Sequence, residues 1–300
     1  MLIMVLGSSV SGHGINRQRV LLGKKSEQTY NLELLWIASY HYKGIMKNPH
    51  SILITGASSG IGEALAREYA HPGIFLALSG RNRGRLDAVA AYCREKGVTV
   101  SADVIDVTDR DAMAEWIKAT DAEHPLDLII ANAGIAGDSG ARGADLNERL
   151  TRDIFDVNMI GVLNTVFPVL ENMRKRKHGQ LALVSSIAGF RGLPSAPAYS
   201  ASKATVKAYG EALHGVLARD RIGVSVICPG FVKSRITDKN AFSMPLIISA
   251  PKAARKIRKG LEKNQLLIAF PWPYITFMWF LNLLTPNWAN KLLSRALPKR

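Results

Sequence analysis

The sequence predicts an α/β domain built on a doubly wound, parallel β-sheet. From residue 50 onward, short apolar runs rich in β-branched residues alternate with helical stretches, which is typical of parallel βαβ construction. The runs are apolar almost throughout, as expected of strands that helices cover on both faces. The 300 residues suffice for one large domain of this class. We therefore predict a single sheet domain with a helical layer on each face.

The apolar runs predict seven strands, and the stretches between them predict helices. The predicted strands are 51–55, 74–79, 98–104, 126–131, 179–185, 222–228 and 266–270. The predicted helices are 61–70, 83–96, 110–122, 146–175, 199–218 and 251–263. Residues 231–250 lack clear periodicity and follow the sixth strand at the sheet edge where such folds bind ligands. Because long irregular segments often serve as lids, we expect this one to cover the substrate.

The two ends of the chain differ from the predicted domain, which we place at residues 46–270. Residues 1–6 are apolar, but the run breaks at residues 7–9 and has no basic flank, so a secretory signal is not indicated. Met46 leads directly into the first strand. We expect residues 1–45 to be a poorly ordered extension, or to lie upstream of a natural start at Met46. Residues 271–300 form a separate C-terminal segment.

Composition narrows the function classes. The chain is 47% hydrophobic and 21% charged, which argues against disorder and against a polytopic membrane protein. A net charge of +15 attracts nucleic acid, anionic membrane or a phosphorylated substrate, but no nucleic-acid-binding module is visible. Cys93 and Cys228 are far apart in sequence, and we interpret both as free thiols of a reducing, cytoplasmic compartment.

A glycine-rich turn follows the first strand. Gly56, Gly60 and Gly62 lie between that strand and the first helix, where glycines permit a tight turn and let backbone N–H groups approach a pyrophosphate. An ordinary βα turn is the alternative. The turn predicts a dinucleotide site.

The end of the second strand indicates which dinucleotide. An acidic residue at this place binds ribose hydroxyls, whereas an arginine binds a 2′-phosphate. Residues 78–83 read Leu-Ser-Gly-Arg-Asn-Arg, with no carboxylate, and Arg81 is placed to pair with phosphate. We therefore expect NADP(H) rather than NAD(H). Arg83 and Arg85 are alternatives for this role, or are simply exposed helix residues.

The most informative motif is Tyr199-Ser-Ala-Ser-Lys203, which begins 13 residues after Ser186. A spacing of four on a helix brings two side chains to one face. A nearby ammonium favours the phenolate form of a tyrosine, so we expect Lys203 to lower the pKa of Tyr199. The pair provides acid/base chemistry for a carbonyl or an alcohol.

Several motifs together resemble the short-chain dehydrogenase/reductase family over about residues 49–270. They are Thr55-Gly-x-x-x-Gly-Ile-Gly62, Asn132-Ala-Gly134, Asn158, Ser186, Tyr199-x-x-x-Lys203 and Pro229-Gly230. The resemblance implies a Rossmann-like fold with a seven-stranded parallel sheet and a nicotinamide cofactor. Ala131, where the family often has a further Asn, is one departure.

The resemblance also implies roles for individual residues. Tyr199 would be the proton donor, Lys203 would lower its pKa and hold the nicotinamide ribose, and Asn158 would position a relay water. Ser186, chosen over Ser185 by the 13-residue gap, would bind the substrate oxygen. The residues expected to contact the cofactor are Gly56, Ser58, Ser59, Gly60, Ile61, Gly62, Arg81, Asp106, Val107, Asn132, Ala133, Gly134, Tyr199, Lys203, Pro229, Gly230 and Val232. We expect no metal, because His214 and the other histidines show no ligand spacing.

The C-terminal segment is aromatic and basic. No charged residue occurs across the 27 positions 264–290. Once the seventh strand is set aside, about 13 residues remain, too few to span a bilayer. With Lys291, Arg295, Lys299 and Arg300 following, the segment fits an interfacial helix at an anionic membrane. Packing on the domain or sealing a dimer is an equal alternative.

These observations predict an NADP(H)-dependent oxidoreductase that interconverts a carbonyl and a secondary alcohol. We expect it to reduce a lipophilic ketone or a 3-oxoacyl-type substrate in the cytoplasm, peripherally at the inner face of the membrane. Alternatives are an NAD-dependent alcohol or hydroxysteroid-type dehydrogenase and a non-catalytic cofactor-binding protein at a membrane surface. The resemblance further implies a homo-oligomer, either a dimer or a tetramer.

Overall fold

The computed structural model describes residues 48–137, 146–239 and 244–296. Within these ranges the chain forms a seven-stranded sheet whose neighbouring strands all run parallel, in the order β3-β2-β1-β4-β5-β6-β7. The strands are β1 (Ser51–Ile54), β2 (Phe75–Ser79), β3 (Thr99–Asp103), β4 (Leu128–Ala131), β5 (Gln180–Val184), β6 (Gly223–Pro229) and β7 (Leu267–Phe270). The expected extension 1–45 and the start at Met46 lie outside the described residues, so the domain boundaries remain predictions.

The order of the strands determines where a ligand fits. The chain moves outward from β1 to β3 and then returns to place β4 on the other side of β1. Ile54, at the end of β1, is in register with Leu78 of β2 and Ile130 of β4. The loops after β1 and β4 therefore diverge from one point at the carboxyl edge, and such switch points open a crevice for ligands.

Helices cover both faces of this sheet. They are α1 (Gly60–Glu68), α2 (Arg83–Glu95), α3 (Arg110–Glu123), α4 (Glu148–Phe155), α5 (Gly161–Arg176), α6 (Pro197–Leu217), α7 (Ala250–Glu262), α8 (Trp272–Leu283) and α9 (Pro286–Ala296). Side chains cap three of the N-termini: Asn82 accepts from the Arg85 N–H, Asp109 from Ala112 and Asn147 from Leu150. Such caps satisfy backbone donors that the helix itself leaves unpaired.

The core consists of two apolar layers, one on each side of the sheet. Successive side chains of β1 alternate between them: Ile52 and Ile54 belong to the layer under α1, α2 and α7, and Leu53 to the layer under α3, α5 and α6. All three are fully buried. Complete burial of such a side chain stabilises the fold by about 1.5–3 kcal/mol. Because its side chains alternate between the two faces, β1 stabilises the packing of both helical layers.

The predicted fold class is confirmed, and each predicted strand is present within two residues of its expected limits. The predicted helix 146–175 differs, because a π-helical turn, Asp156–Ile160, separates α4 from α5. Among the described residues, only the stretch 148–176 is long and apolar enough to cross a membrane. Half of the most apolar part of this stretch is buried inside the protein, as in the core helix of a globular domain.

Two expectations need correction. The edge strand β3 is only partly buried, which departs from the near-complete burial expected of the strands. An edge strand lacks a second neighbour, and its side chains are therefore less enclosed. The C-terminal segment, expected as one helix after β7, forms two helices because the chain turns at Leu284–Thr285 before Pro286 starts α9.

Candidate active site

The glycine-rich turn forms the floor of a cleft at the carboxyl edge of the sheet. Gly56 and Gly60 adopt φ values of +66° and +60°, in the region that favours glycine. A Cβ at Gly56 would lie 2.8 Å from the Ala133 Cα. The turn leads into α1, whose N-cap Ser59 makes no side-chain capping hydrogen bond. Backbone donors of the first helical turn therefore face the cleft without a side-chain cap.

Gly62 has a different role from the one expected. It does not line the cleft. A Cβ there would collide with the Gly56 carbonyl oxygen and would lie 2.5 Å from the Asn132 Nδ2. Gly62 therefore lets α1 approach the turn closely, and its contribution to a cofactor site is indirect.

Thr55 and Asn132 fasten the two loops of the switch point together. The Thr55 hydroxyl accepts hydrogen bonds from the backbone N–H groups of Asn132 and Ala133, each at 3.1 Å. The Asn132 amide donates to the Thr55 carbonyl at 2.9 Å. Residues 132–134 are thereby held along one wall of the cleft, and most of the polar capacity of Asn132 serves the protein itself.

One end of the cleft is exposed and charged. Arg81 follows β2, and its guanidinium lies 3.8 Å from the Asp106 carboxylate across the opening. Asp106 also accepts from the N–H and hydroxyl of Thr108. Val107 beside it is buried, and its carbonyl accepts from the Asn164 amide at 2.9 Å. This end presents a cation where a 2′-phosphate is expected.

Arg85 also lines this end of the cleft, whereas Arg83 does not. Arg83 is exposed and lies 3.8 Å from Asp87 one turn along α2. The Arg85 Nε is buried and has no hydrogen-bond partner among the described residues. A buried unpaired donor is uncommon. Of the two alternatives considered from the sequence, Arg85 is therefore the one positioned to contact a ligand.

The opposite end of the cleft contains Tyr199 and Lys203. Pro197 starts α6, which places Tyr199 in the first turn of the helix and Lys203 one turn later. The Lys203 Nζ lies 5.9 Å from the centre of the Tyr199 ring and donates to the Val184 carbonyl at 2.9 Å. Only 4% of Lys203 is exposed. An ammonium has three donors, and this one also borders the cleft.

The two adjacent serines point in different directions. Ser185 donates to the Lys203 carbonyl at 2.7 Å and so fastens β5 to α6. The Ser186 oxygen accepts from the Ala188 N–H at 3.1 Å, capping the short 3₁₀ turn Ile187–Phe190. The Ser186 hydroxyl also interacts with the phenol of Tyr199. Ser186 is thus the serine beside the tyrosine, although it does not line the dinucleotide cleft.

The titration of the Tyr/Lys pair corrects an expectation. Burial raises the pKa of Tyr199 above its usual value, and the Ser186 hydroxyl only partly opposes this. Burial also lowers the pKa of Lys203 to about 8. The net direction is therefore opposite to the lowering expected from Lys203, because burial is the largest cause of the shift in the Tyr199 pKa. The phenol is protonated at neutral pH.

Asn158 lies in the π-helical turn and is completely buried. Its side-chain oxygen accepts from the Ile135 N–H at 2.8 Å. Its amide donates to the Ile135 carbonyl and to the Ser202 hydroxyl, each at 3.0 Å. These bonds hold residue 135, which itself lines the cleft, against α6. The expected role of Asn158 in holding a relay water remains a prediction.

Most of the predicted cofactor residues come together in one cleft. Its walls include Gly56, Ser58, Ser59, Gly60, Ile61, Arg81, Asp106, Val107, Asn132, Ala133, Gly134, Tyr199, Lys203, Pro229, Gly230 and Val232. Residues 234–237, which sequence analysis placed in an irregular segment without naming them, line it as well. In the sequence, only their position after the sixth strand indicated that they lie near the ligand-binding edge of the sheet.

The residues fit a nicotinamide dinucleotide. At Gly134 a Cβ would lie 3.1 Å from the Asn158 oxygen and 3.2 Å from the Lys203 Nζ, so glycine keeps the space beside the lysine open. The glycine turn offers backbone donors at the middle of the cleft, and Arg81 and Arg85 lie at the far end. Among the described residues no group of three or more His, Cys, Asp or Glu is placed to hold a metal. Both cysteines are buried and free.

Fold and cleft together define an oxidoreductase of the nicotinamide-dependent α/β class. Residues 50–243 match the short chain dehydrogenase family, and the chain belongs to that family. It is accordingly an NAD(P)-dependent dehydrogenase or reductase acting on CH–OH groups.

Individual relatives agree with this assignment. An uncharacterized oxidoreductase of Myxococcus xanthus is 42% identical over 73% of this chain and 87% of its own length. The 11-beta-hydroxysteroid dehydrogenase 1A of Arabidopsis thaliana is 32% identical over 81% of this chain and 74% of its own.

Solved structures of low sequence identity share the fold. A short-chain dehydrogenase from Sphingobium yanoikuyae in complex with NADPH has a TM-score of 0.69 at 24% identity, over 83% of this chain and 96% of that one. A short chain dehydrogenase/reductase from Burkholderia phymatum in complex with NAD has a TM-score of 0.72 at 22% identity, over 79% and 94%.

Proposed function

We propose that this protein is an NADP(H)-dependent reductase that converts a lipophilic ketone or a 3-oxoacyl-type substrate into a secondary alcohol. The observation that supports this most is the Tyr199 phenol, which interacts with the Ser186 hydroxyl and whose ring centre lies 5.9 Å from the Lys203 Nζ at the inner end of the cleft. Because burial raises the pKa of Tyr199, the group is a proton donor at neutral pH. Reduction needs a donor, since hydride addition to a carbonyl leaves an alkoxide.

Each residue then has a defined task. A bound nicotinamide dinucleotide supplies the hydride. Ser186 donates a hydrogen bond to the carbonyl oxygen and orients its carbon. Tyr199 transfers its proton to the same oxygen as negative charge develops there. The Lys203 ammonium stabilises the resulting phenolate, which regains a proton through Lys203 and the water that Asn158 is predicted to hold.

Arg81 and Arg85 support the preference for NADP(H). Both border the end of the cleft where the adenosine ribose is expected, and residues 78–83 between β2 and α2 contain no carboxylate. A guanidinium binds phosphate through paired, charge-assisted hydrogen bonds. The unpartnered Nε of Arg85 gains an acceptor if a 2′-phosphate occupies this place.

An NAD-dependent hydroxysteroid-type or alcohol dehydrogenase is the second candidate. The observation in its favour is the Asp106 carboxylate, which lies 3.8 Å from Arg81 and partly neutralises it. A ribose hydroxyl is a suitable donor to such a carboxylate. The similarity to a plant protein named as a hydroxysteroid dehydrogenase is compatible with either cofactor.

Further proposals concern location and assembly. We place the protein in the cytoplasm, peripherally at the inner face of the membrane, because both cysteines are reduced thiols and residues 272–292 expose aromatic side chains. We also place it in a homo-oligomer, dimeric or tetrameric. Phe167 on α5 and Ile160 before it are 57% and 42% exposed, and a second copy is a suitable cover for them.

The test is a cofactor-oxidation screen with the full chain. Steroid, 3-oxoacyl, sugar-nucleotide and aliphatic ketones are offered with NADPH and, in parallel, with NADH. We expect turnover of an apolar ketone with NADPH and a kcat/KM at least tenfold higher than with NADH. A clear preference for NADH contradicts the role given to Arg81 and Arg85.

A further inference from the structure

The C-terminal helices α8 and α9, called the hairpin below, follow one another with a two-residue turn and share a small apolar cluster. Met278, Leu281 and Ala289 are buried there, and they pack with Phe190 and Leu193 of the segment that follows Ser186. These contacts use only a minority of the hairpin's apolar side chains. Seven large apolar side chains of the two helices are instead exposed.

Most of these exposed side chains, called the aromatic face below, are aromatic. Trp272, Trp279 and Trp288 are 74%, 63% and 65% exposed, and Phe280 and Leu283 are 51% and 65% exposed. Single exposed apolar residues are ordinary, but a cluster of large ones marks a surface that contacts something else. Tryptophan in particular is enriched where one end of a side chain is apolar and the other is wet, as at a bilayer interface.

The charge of this segment has one sign. No Asp or Glu occurs in residues 271–300, whereas Lys291, Arg295, Lys299 and Arg300 do occur. The Lys291 ammonium lies 5.4 Å from the centre of the Trp288 ring, so a cation and an interfacial aromatic occupy the same part of α9. Each basic residue near an anionic lipid surface contributes about 1 kcal/mol of attraction.

The same charge argues against a second copy as the partner. A two-fold interface pairs a surface with itself. It would therefore bring together two segments, residues 271–300 of each copy, that each have four cations and no Asp or Glu. An anionic lipid surface complements this charge, and its acyl region accommodates the tryptophans.

The hairpin is attached to both sides of the active-site mouth. On one side, the Asn282 amide donates to the Phe190 carbonyl at 3.1 Å, and Arg191 donates to the Leu281 carbonyl at 3.2 Å. Phe190 ends the short turn that Ser186 begins. The aromatic face is therefore fixed close to the residue that orients the substrate.

On the other side, the hairpin contacts the segment expected to cover the substrate. The Tyr274 ring packs edge-on against Phe231 with centroids 5.9 Å apart, and its hydroxyl donates to the Pro245 carbonyl. At Gly230, which lines the cleft, a Cβ would lie 3.3 Å from the Tyr274 ring. α8 thus touches the cleft margin next to Pro229–Gly230.

We propose that the aromatic face of α8 and α9 docks in the interface of an anionic bilayer and turns the active-site mouth toward the lipid. The ketone is then taken from the membrane, where it is dissolved, and not from water. This inference rests on the proposed reduction of a lipophilic ketone and adds where that substrate is collected.

The test uses the full chain and vesicles of phosphatidylcholine with 30% phosphatidylglycerol, a composition chosen to provide roughly physiological anionic charge. Docking is measured by cosedimentation and by quenching of tryptophan emission with brominated lipid. The double variant Trp279→Ser/Trp288→Ser removes two exposed side chains of the face. Val216→Ser on α6 is the control, because Val216 is 64% exposed and lies outside the hairpin.

We expect the wild type and Val216→Ser to bind the vesicles, with brominated lipid quenching their emission. The double variant should bind at least tenfold more weakly. High salt should weaken wild-type binding, since it screens exposed charge. Equal binding by the double variant and the wild type, or no wild-type binding, overturns the docking surface. A wild-type dimer that the double variant alone dissociates, without vesicle binding, also overturns it and identifies a second copy as the partner.

Turnover separates this inference from the proposed function. Two ketones are compared, one water-soluble and one dissolved in the vesicles. The double variant should keep its rate on the soluble ketone within about twofold and lose at least tenfold on the dissolved one. Equal loss on both ketones contradicts delivery from lipid. A wild type that binds vesicles yet reduces neither ketone refutes the proposed reduction while the docking surface stands.

Discussion

The two ends of the cleft differ in how far they exclude water. At the inner end, Lys203 is 4% exposed and Asn158 is completely buried. At the outer end, the side chains of Arg81 and Asp106 are 62% and 41% exposed. Charges interact more strongly where water is excluded, and they are screened where it is not. The inner end should therefore control whether reaction occurs, and the outer end should adjust only which cofactor is preferred.

The largest effect is expected at the inner end from Tyr199→Phe. This change removes the proton donor and keeps the ring, so turnover should fall roughly 10²–10⁴-fold, the usual contribution of general acid catalysis. NADPH binding, followed by its fluorescence, should be retained. Tyr209→Phe on the same helix is the control, because Tyr209 packs in the core away from the cleft. Near-normal turnover in Tyr199→Phe would remove the tyrosine from the mechanism.

The second prediction concerns protein stability, because the buried Lys203 ammonium destabilises the folded state. Burial lowers the pKa of Lys203 from 10.5 to about 8, so between these values the unfolded chain binds more protons than the folded one. The free energy of unfolding therefore rises with pH across this window. Below pH 8 the folded protein is destabilised by the full amount. The pKa shift corresponds to about 3 kcal/mol of unfolding free energy.

Lys203→Met should remove this destabilisation of the folded state, and it should also abolish turnover. At pH 7 without cofactor, urea unfolding should show the variant more stable than the wild type by up to about 3 kcal/mol. The difference should shrink as pH rises above 8. Lys207→Met is the control, since it removes a partly exposed ammonium that is paired with Glu211 at 2.7 Å. If the difference in unfolding free energy does not depend on pH, or if Lys203→Met is less stable than the wild type, the lowered pKa assigned to Lys203 is contradicted.

A smaller effect is expected at the outer end. Arg81→Ala and Arg85→Ala each remove one phosphate partner, and a hydrogen bond to a charged group contributes about 1.5–3 kcal/mol. Because Arg81 is largely exposed, the lower value applies, and the Kd for NADPH should rise about tenfold with that for NADH unchanged. Titration of both cofactors against both variants measures this. Arg83→Ala, which removes a guanidinium beside Asp87, should alter neither Kd, and equal weakening of NADH binding would exclude a 2′-phosphate contact.

The same contrast explains how far the sequence could predict the site. The Tyr199/Lys203 spacing and the 13-residue gap to Ser186 are local patterns, and a helix and a strand end turn them directly into neighbouring side chains. The direction of the Tyr199 pKa was beyond such patterns. It depends on how β5, β6 and α6 enclose the pair, which is a property of tertiary packing.

Other parts of the site escaped for related reasons. The π-helical turn that orients Asn158 has the same apolar pattern as an α-helix, so the sequence predicted an uninterrupted helix. The burial of the Arg85 Nε depends on tertiary packing around α2, which no spacing encodes. The strands were predicted well because a run buried on both faces must be apolar whatever surrounds it.

The smallest effect should come from Asp106→Asn, which tests whether the 3.8 Å contact with Arg81 restrains the arginine. Exposed ion pairs contribute about 0.2–1 kcal/mol, so releasing Arg81 should tighten NADPH binding by no more than about fivefold. Asparagine keeps an oxygen for the N–H and hydroxyl of Thr108, and the loop should therefore keep its shape. Asp111→Asn in the first turn of α3 is the control for net charge. If Asp106→Asn instead tightens NADH binding or weakens NADPH binding, the carboxylate itself belongs to the cofactor site. That result would favour the NAD-dependent alternative over a 2′-phosphate site formed by Arg81 and Arg85.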